Sequence, residues 1–509
     1  MSKITDTDQV DTYIPKRSLL ERILEILPGF ISWIVITSPV WLTLRLPSFM
    51  AALIIFVDVY WFYRAIKTAI LGFVGYRRVQ KAIQTDWQAK LNQDFPEKWE
   101  TLEHLFIIPS WKESGDIIES SFAGIAKTEY PLSKIRVVLA LEARDDPDLI
   151  SEKEAVAEKY RSIFANVFVT KHPDNLVGEV IGPGANRTWS LKSLIPLLEK
   201  EINVDQTILT TLDADFIIHP KLVSALTYQY LATPDPAEKS FTGIFIYSNN
   251  YWQAPAPMRL ISSSVALSQL GELVENWKYV NFSSHSLNLR TLVNLGFWTV
   301  DHVNDDAHLY WKAYFATDGK YQVIPHWIPI YADTVLDRNL PKTFVNQYKQ
   351  LQRWAYGVEH RPYIYRNIFT KANIPLISRF ERFLFVFRSD IAWATLAFIT
   401  GFGASIAVLV NRQFSQTVLG SNLVLYSGII LSFATIGMIP AAILNLKLYP
   451  PMPSDWSKAR KLFGYLQYLL APLVVMTFGT LPAIDSQSRL MFGKYLSYRV
   501  TRKFRIMKK

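Results

Sequence analysis

Two aspartates one residue apart, Asp213 and Asp215, follow directly on the apolar run Ile208 to Leu212. Carboxylates placed just past a strand can hold a hard divalent ion that keeps positions open for phosphate oxygens, as a diphosphate leaving group requires. Two acids in a solvated turn give the same spacing. Further along, Asn304-Asp305-Asp306 heads a helix-like segment that runs through Tyr310 to Phe315. A carboxylate there can accept the proton of an attacking hydroxyl once burial or nearby acids raise its pKa. The alternative is capping, because Asn or Asp at a helix start satisfies free backbone N–H groups. A third group, Gln350, Arg353 and Trp354, lies on an amphipathic stretch. Arg353 can neutralise a departing diphosphate and Trp354 can offer a flat face to a sugar ring, although an Arg beside a Trp is also a common anchor at a membrane surface. Finally, Gly178, Gly182 and Gly184 fall with Pro183 in a loop that runs through Asn186 into a helix. Glycines let the backbone approach a ligand closely, and a helix start offers N–H groups to phosphate or base oxygens; a tight turn is the other reading. The loop matches neither a Walker nor a dinucleotide fingerprint, which removes the main support for an NTPase or a dehydrogenase.

These residues need a scaffold, and the chain offers an α/β one. Short β-branched runs (His104 to Ile108, Ile135 to Leu141, Val167 to Thr170, Ile208 to Leu212) alternate with helix-like stretches at Ile117 to Lys127, Ser151 to Phe164 and Trp189 to Lys200. That alternation predicts a parallel sheet. Polar clusters follow three of the runs: Pro109 to Glu113, Glu142 to Asp146, and Asp213 to Asp215. In open α/β sheets ligands bind at the carboxyl ends of strands, so the three turns are expected to share one crevice. A further strand is expected at Phe241 to Tyr247. Met258 to Trp277, Tyr348 to His360 and Ile377 to Arg388 read as amphipathic helices, lying at a membrane surface or buried in the core.

Half of the 509 residues are hydrophobic, too many for an ordinary soluble enzyme. Uncharged runs at Ile26 to Leu44, Ile391 to Asn411, Gln413 to Leu446 and Leu462 to Ile484 are each near or above the ~20 residues that span a bilayer. Leu46 to Tyr63, which contains Asp58, reads as the return leg of a hairpin with the first. The first run is too long for a cleaved signal peptide. A net charge of +10 collects beside the apolar runs, in Arg64 to Lys81, in Lys447 to Lys461 and after Arg489, which fits membrane phosphates better than nucleic acid. The absence of cysteine excludes disulfides, thiolate metal sites and a Cys nucleophile. A transporter is disfavoured, since only the Asp58 run carries an intramembrane charge. Five spans from a cytosolic amino terminus would leave the basic tail outside, against the positive-inside rule. Either Leu462 to Ile484, interrupted by Pro472 and Pro482, is a re-entrant hairpin, or Gln413 to Leu446 is more than one span.

From about residue 103 onward the order of these motifs resembles the family 2 glycosyltransferases, inverting enzymes with a GT-A fold, in particular the membrane synthases related to cellulose, hyaluronan and chitin synthases. Asp213 and Asp215 match the family's Asp-x-Asp motif, Asn304-Asp305-Asp306 resembles Thr-Glu-Asp, and Gln350, Arg353 and Trp354 complete Gln-x-x-Arg-Trp without substitution. Pro109 to Glu113 is similar to the family's Pro-x-x-Asn-Glu opening, with Lys112 where Asn is usual. Glu142 stands where the family has an Asp that contacts the nucleotide base, and Asn186 is similar to the Asn of a Lys-x-x-x-x-Asn segment. Ser283 to Arg290 resembles the acceptor-side segment, and Tyr498 to Lys503 the Phe-x-Val-Thr-x-Lys gating segment of synthases that extrude polymer. The resemblance implies a Rossmann-like GT-A nucleotide-diphospho-sugar transferase domain (83–390) inserted between transmembrane helices (1–82 and 391–484), followed by a basic tail (485–509). It implies Asp215 and Asp213 as ligands of Mg2+ or Mn2+, and Pro109, Glu113, Glu142, Asn186 and Asp213 as contacts of a nucleotide-sugar, expected to be a UDP-sugar. Asp306 is the implied base, with Gln350, Arg353 and Trp354 beside it. The expected activity is sugar transfer to a membrane-associated glycan or lipid, by a polysaccharide synthase or a non-processive glycolipid-forming transferase. An inactive partner subunit keeping the fold is the remaining reading. The expected location is a multi-pass protein of the cell membrane, with the catalytic domain in the cytosol.

Overall fold

The computed structural model describes residues 17–437 and 439–498. The chain opens with two apolar helices. Helix α1 (Leu19–Arg45) starts where the Ser18 hydroxyl and the Glu21 carboxylate each accept the other residue's backbone N–H, and α2 (Pro47–Gln84) begins one residue after α1 ends, with Pro47 at a position that has no N–H to lose. The strands are β1 (Glu103–Ser110), β2 (Ile135–Glu142), β3 (Asn166–His172), β4 (Thr207–Thr211), β5 (Ile217–Ile218), β6 (Lys239–Ile246), β7 (Ser286–Asn288) and β8 (Gln322–Tyr331). The remaining helices that position the site are α3 (Pro183–Glu201), α4 (Ala256–Val274), α5 (Asp305–Ala316), α6 (Leu340–Ala355), α7 (Leu376–Phe398), α8 (Val418–Gly437) and α9 (Leu481–Met491).

The strands form one sheet in the order β3-β2-β1-β4-β7-β6-β8-β5. Strands β3, β2, β1 and β4 run parallel, as the alternation of strands and helices predicts. The expectation of a parallel sheet is corrected beyond β4: β7 is antiparallel to both β4 and β6, and β5 is antiparallel to β8. Along β1 the side chains alternate between two cores, with Phe106 and Ile108 on one face and Leu105 and Ile107 on the other. Because both faces are covered, the strand reads as one apolar run. Strand β8 was not foreseen. It carries Pro325 and Pro329, which cannot donate to a ladder, and the pairing of β6 with β8 shifts register between Thr242 and Ile244 to accommodate them.

Among the described residues, five helical segments are long and apolar enough to cross a membrane: Leu19–Arg45, Pro47–Gln84, Leu376–Val410, Val418–Leu448 and Lys458–Met491. Their contacts sort the ends. The Asn411 amide donates to Thr43 O at the end of α1 that lies away from the sheet. Lys221 of the sheet domain donates to Ile83 O and Thr85 O at the end of α2, and Tyr251 stacks on Tyr449 just past the fourth segment. The fifth segment has both ends on the sheet-domain side. Arg259 donates to Gln467 near its start, while Gln352 of α6 donates to Asp485 near its finish. In these contacts the first four segments each have one end at the sheet domain and one away from it, whereas both ends of the fifth lie at the sheet domain. As a consequence Arg22, early in α1, donates to Leu490 O and Met491 O, and Tyr495 donates to Glu25.

Asp58 of α2 is fully buried and accepts a hydrogen bond from Ser427 of α8 at 2.6 Å, so a carboxyl group on a segment apolar enough to cross a membrane has a polar partner. Helix α2 meets α4 through glycine. A Cβ on Gly75 would lie 2.7 Å from Leu270 O, and one on Gly72 would lie 2.6 Å from Leu267 Cδ1. Close approach of this kind depends on small residues. Gly75→Val is expected to force the two helices apart at a cost of roughly 1–3 kcal/mol, read as a lower melting temperature in detergent. Gly428→Ala, where a Cβ would meet nothing within 4 Å, should melt like the parent.

Candidate active site

The turns after β2, β1 and β4 lie side by side because those strands are neighbours, and all three open into one cleft of about 2840 Å³. Pro109, Glu113, Glu142, Asn186, Asp213, Asp215, Asp306, Gln350, Arg353 and Trp354 all line it. From the strand ends the cleft continues past Trp61 and Arg64 of α2 to Phe402, Leu431 and Thr435 in the helices long and apolar enough to cross a membrane.

The Asp213-Ala214-Asp215 turn is held from below and from both flanks. Ser121 donates to Ala214 O and to Phe216 O. Asp213 Oδ2 accepts the Ser283 hydroxyl at 2.7 Å, and its N–H donates to Ser284 Oγ at 3.2 Å. Asp215 Oδ2 accepts the Asp333 N–H at 3.2 Å, and the Asn249 amide bridges Asp215 O and the Asp333 carboxylate. The carboxylates of Asp213 and Asp215 thus offer hard oxygen donors, oriented by neutral hydrogen bonds, which suits Mg2+ or Mn2+.

Facing this turn is a cation that sequence reasoning missed. Arg187 follows Asn186 in the first turn of α3 and its side chain has no exposure. It hydrogen-bonds to Thr211 Oγ1 at 2.6 Å, pairs with Asp305, lies 2.9 Å from Asp306 Oδ1 and sits over the Trp298 ring at 4.6 Å. The Asp306 approach is an ion pair not aligned as a hydrogen bond. Burial alone would lower the proton affinity of Arg187, but Asp305, Asp306 and Asp213 raise it. Asp305 is pushed up to about 7, chiefly by burial, with Arg187 opposing and Asp306 adding to the rise. Only the position of Arg187 beside the glycine loop could have signalled it, since a single Arg on a helix has no pattern. The glycine acts by close approach. A Cβ on Gly184 would lie 2.6 Å from Asp305 Oδ2, so the helix start packs directly on the acidic turn.

Asn304 caps no backbone group of α5 with its side chain; its amide instead donates to Arg353 O at 2.9 Å, joining the acidic turn to α6. Gln350 accepts from Gln347, and Trp354 packs beside Met258, Ile261 and Phe478. The Arg353 guanidinium lies 4.6 Å from the centre of the Tyr498 ring, and its Nε has no hydrogen-bond partner among the described residues. Tyr498 also touches Gly182, which brings the last described residue into the cleft; the rest of the Tyr498 to Lys503 segment lies outside the described residues.

The turns after β1 and β2 are more occupied. Glu113 accepts from Ser110 Oγ and from the Trp111 N–H, and burial pushes its carboxyl up to about 7. Glu142 is engaged by Arg144 at 2.9 Å and by His172 at 3.2 Å. The Asn186 amide donates to Ala140 O and its oxygen accepts from Ser190, so it fastens α3 to β2 from the wall of the cleft. Lys112, with φ at +71°, donates its N–H to Asp145, which in turn pairs with the buried Lys153 at 2.6 Å.

No protein-family model and no curated protein matches the chain. Among solved structures it is similar to the mannosyltransferase PcManGT from Pyrobaculum calidifontis in complex with GDP-Man and Mn2+, at 14% identity and a TM-score of 0.45 over 78% of this chain and 99% of that one. It is also similar to S. aureus TarS, at 12% identity and a TM-score of 0.33 over 66% of this chain and 55% of that one. The same protein's residues 1–349 with UDP-GlcNAc give 12% identity and a TM-score of 0.35, covering 66% and 90%.

Two stability tests follow from the geometry. Gly184→Ala is expected to displace Asp305 and cost roughly 1–3 kcal/mol, whereas Gly357→Ala, whose Cβ would meet only Asn304 Nδ2 at 4.0 Å, should leave the melting temperature unchanged. Glu113 tests the pH dependence. Its carboxyl is raised from 4.5 to about 7 in the folded chain, so within that window the folded form holds a proton that the unfolded chain has released. Stability then falls as pH rises through the window. Melting curves of ligand-free protein between about pH 5 and about pH 8 should show a shallower fall for Glu113→Gln than for the parent.

Proposed function

We propose that the chain is a metal-dependent inverting glycosyltransferase of the family 2 type, moving a sugar from a nucleoside-diphosphate donor, a UDP-sugar by the resemblance, to a membrane-borne acceptor. The observation that carries the reading is the single cleft in which Asp213 and Asp215 face Asp306 and Arg353 and which continues to the membrane-crossing helices. Asp215 and Asp213 would hold Mg2+ or Mn2+, which when bound supplies positive charge beside the donor diphosphate. The donor's base end lies towards Pro109, Glu113, Glu142 and Asn186. Asp306 accepts the proton of an acceptor hydroxyl. The hydroxyl oxygen forms a bond to the anomeric carbon as the bond from that carbon to the diphosphate oxygen breaks on the opposite face, which inverts configuration. Arg353, with an unspent Nε, meets the charge that develops on the diphosphate. Gln350 and Trp354 position the acceptor.

The product has two readings. The Tyr498 to Lys503 segment supports a polysaccharide synthase. The opening of the cleft at Phe402 and Thr435, both exposed on the membrane-crossing helices, favours an acceptor entering from the lipid and hence a glycolipid. Chain-length analysis of the product separates them. Nucleotide-sugars are screened with purified protein and Mn2+ or Mg2+, and an active pair excludes an inactive partner subunit. With that pair, Asp306→Asn should lower transfer by about 100-fold or more while donor binding persists, and Asp215→Asn should remove metal-dependent donor binding. Wild-type transfer by Asp306→Asn would show that another group is the base.

A further inference from the structure

Next to the acidic turn at Asn304 to Asp306, three histidines from separate stretches of chain meet. His302 precedes α5, His308 lies on it, and His360 follows α6. One ring nitrogen from each lies within 4.8 Å of the other two. The ring centres are 4.4 Å apart for His302 and His308, 5.2 Å for His302 and His360, and 5.0 Å for His308 and His360. His308 and His360 are 5% and 1% exposed, so neither can shed a charge into water.

The outer hydrogen bonds decide which nitrogen of two rings carries a lone pair. His360 Nε2 is 2.9 Å from Asn304 O, which only accepts, so Nε2 carries the proton and Nδ1 the lone pair. His302 Nδ1 is 2.8 Å from the Asp301 carboxylate, so its proton points there and Nε2 is left with the lone pair. A carboxylate and a backbone carbonyl orienting two imidazoles in this way are the outer partners that metal-ligating histidines have. His308 Nδ1 stands 3.2 Å from His360 Nδ1. That separation is close to the roughly 3.3 Å between two nitrogens bound tetrahedrally to zinc at ~2.0–2.1 Å. Burial pushes both His308 and His360 well below the usual imidazole range, so the rings are neutral and competent as ligands. The charges facing the cluster are mixed. Arg17, Lys312 and Arg361 are the cations, and Asp301 and Glu359 the anions.

We propose that His302, His308 and His360 form a second metal site, for a borderline divalent ion such as Zn2+, separate from the Asp213-Asp215 pair. Three imidazoles select Zn2+, Co2+ or Ni2+ over Mg2+, whereas the carboxylate pair favours the harder ions. The bound ion positions rather than reacts: it fastens the turn that carries Asp305 and Asp306 to the segment leaving α6, three residues past Gly357, where the Asn304 amide already bonds Arg353 O.

The test uses the full chain in detergent, stripped with a chelator, dialysed against Zn2+, desalted and analysed for metal by mass spectrometry. One equivalent of zinc per chain is expected to remain. It should be lost in His308→Gln and His302→Gln and kept when Asp213 and Asp215 are both changed to Asn. Co2+ in its place should give a tetrahedral visible spectrum that His302→Gln abolishes. Zinc should also raise the melting temperature of the wild-type chain relative to the chelated form. His302 lies on a loop at the edge of the cluster, so its variant keeps the test open if His308→Gln fails to fold. Retention of the full equivalent by folded His302→Gln, its loss in the aspartate double variant, or a wild-type melting temperature indifferent to zinc would each overturn the site.

Discussion

A guanidinium with no access to water has to be neutralised where it stands. Arg187 is such a group, and its partners outside α3 come from four parts of the chain: Thr211 at the end of β4, Ser283 O, Asp305 and Asp306 at the start of α5, and the face of Trp298. Removing one partner of a buried pair typically costs ~3–5 kcal/mol, because the survivor stays buried and unpaired. The network is therefore kept whole or lost whole. While it holds, the start of α3, the carboxyl end of β4 and the start of α5 occupy fixed relative positions, and with them the distance between the Asp213-Asp215 turn and Asp306. Gly184 makes the arrangement possible, since any side chain there would stand where Asp305 is.

The long apolar helices impose the second constraint. The start of α1, the end of α2, the start of α7 and the end of α9 all face the sheet domain. Polar contacts then tie helix ends to the site: Arg361, just past His360, pairs with Asp390 of α7 through two bonds of 2.5 and 2.6 Å, and Gln487 of α9 donates to Asp390 O. Two-point pairing of this kind fixes orientation as well as distance. The same arrangement brings Tyr498, the last described residue, against Arg353 in the cleft.

What was legible in the sequence follows from period and order. Strands β1 to β4 and β6 are apolar runs of the right length, and the three turns that carry polar clusters fall together because those strands are neighbours. Strand β8 was hidden by Pro325 and Pro329, and β7 is three residues long with Ser286 and Asn288 in it, so neither has a pattern that outweighs a loop. The helix from Leu376 was divided in the sequence because Arg379, Arg382 and Arg388 interrupt its apolar character. In the structure Arg382 is buried against Trp277 and Tyr314, which accounts for the charge. Arg187 and the three histidines were invisible for another reason. Their partners are distant in sequence, and neither a lone buried cation nor histidines at 302, 308 and 360 give a spacing that belongs to one helix face or one strand.

The charge balance around Arg187 bears on how Asp306 could serve as a base. One guanidinium faces three carboxylates, those of Asp305, Asp306 and Asp213, so the group as a whole carries surplus negative charge at the wall of the cleft. Asp305 is the more enclosed of the two, with 4% of its side chain exposed against 13% for Asp306, and burial is the main reason its carboxyl is raised. Asp306 is the member that can meet a substrate in the cleft. Arg187 opposes the rise at Asp305, so what it contributes beside Asp306 is position: it holds that carboxylate at the wall of the cleft.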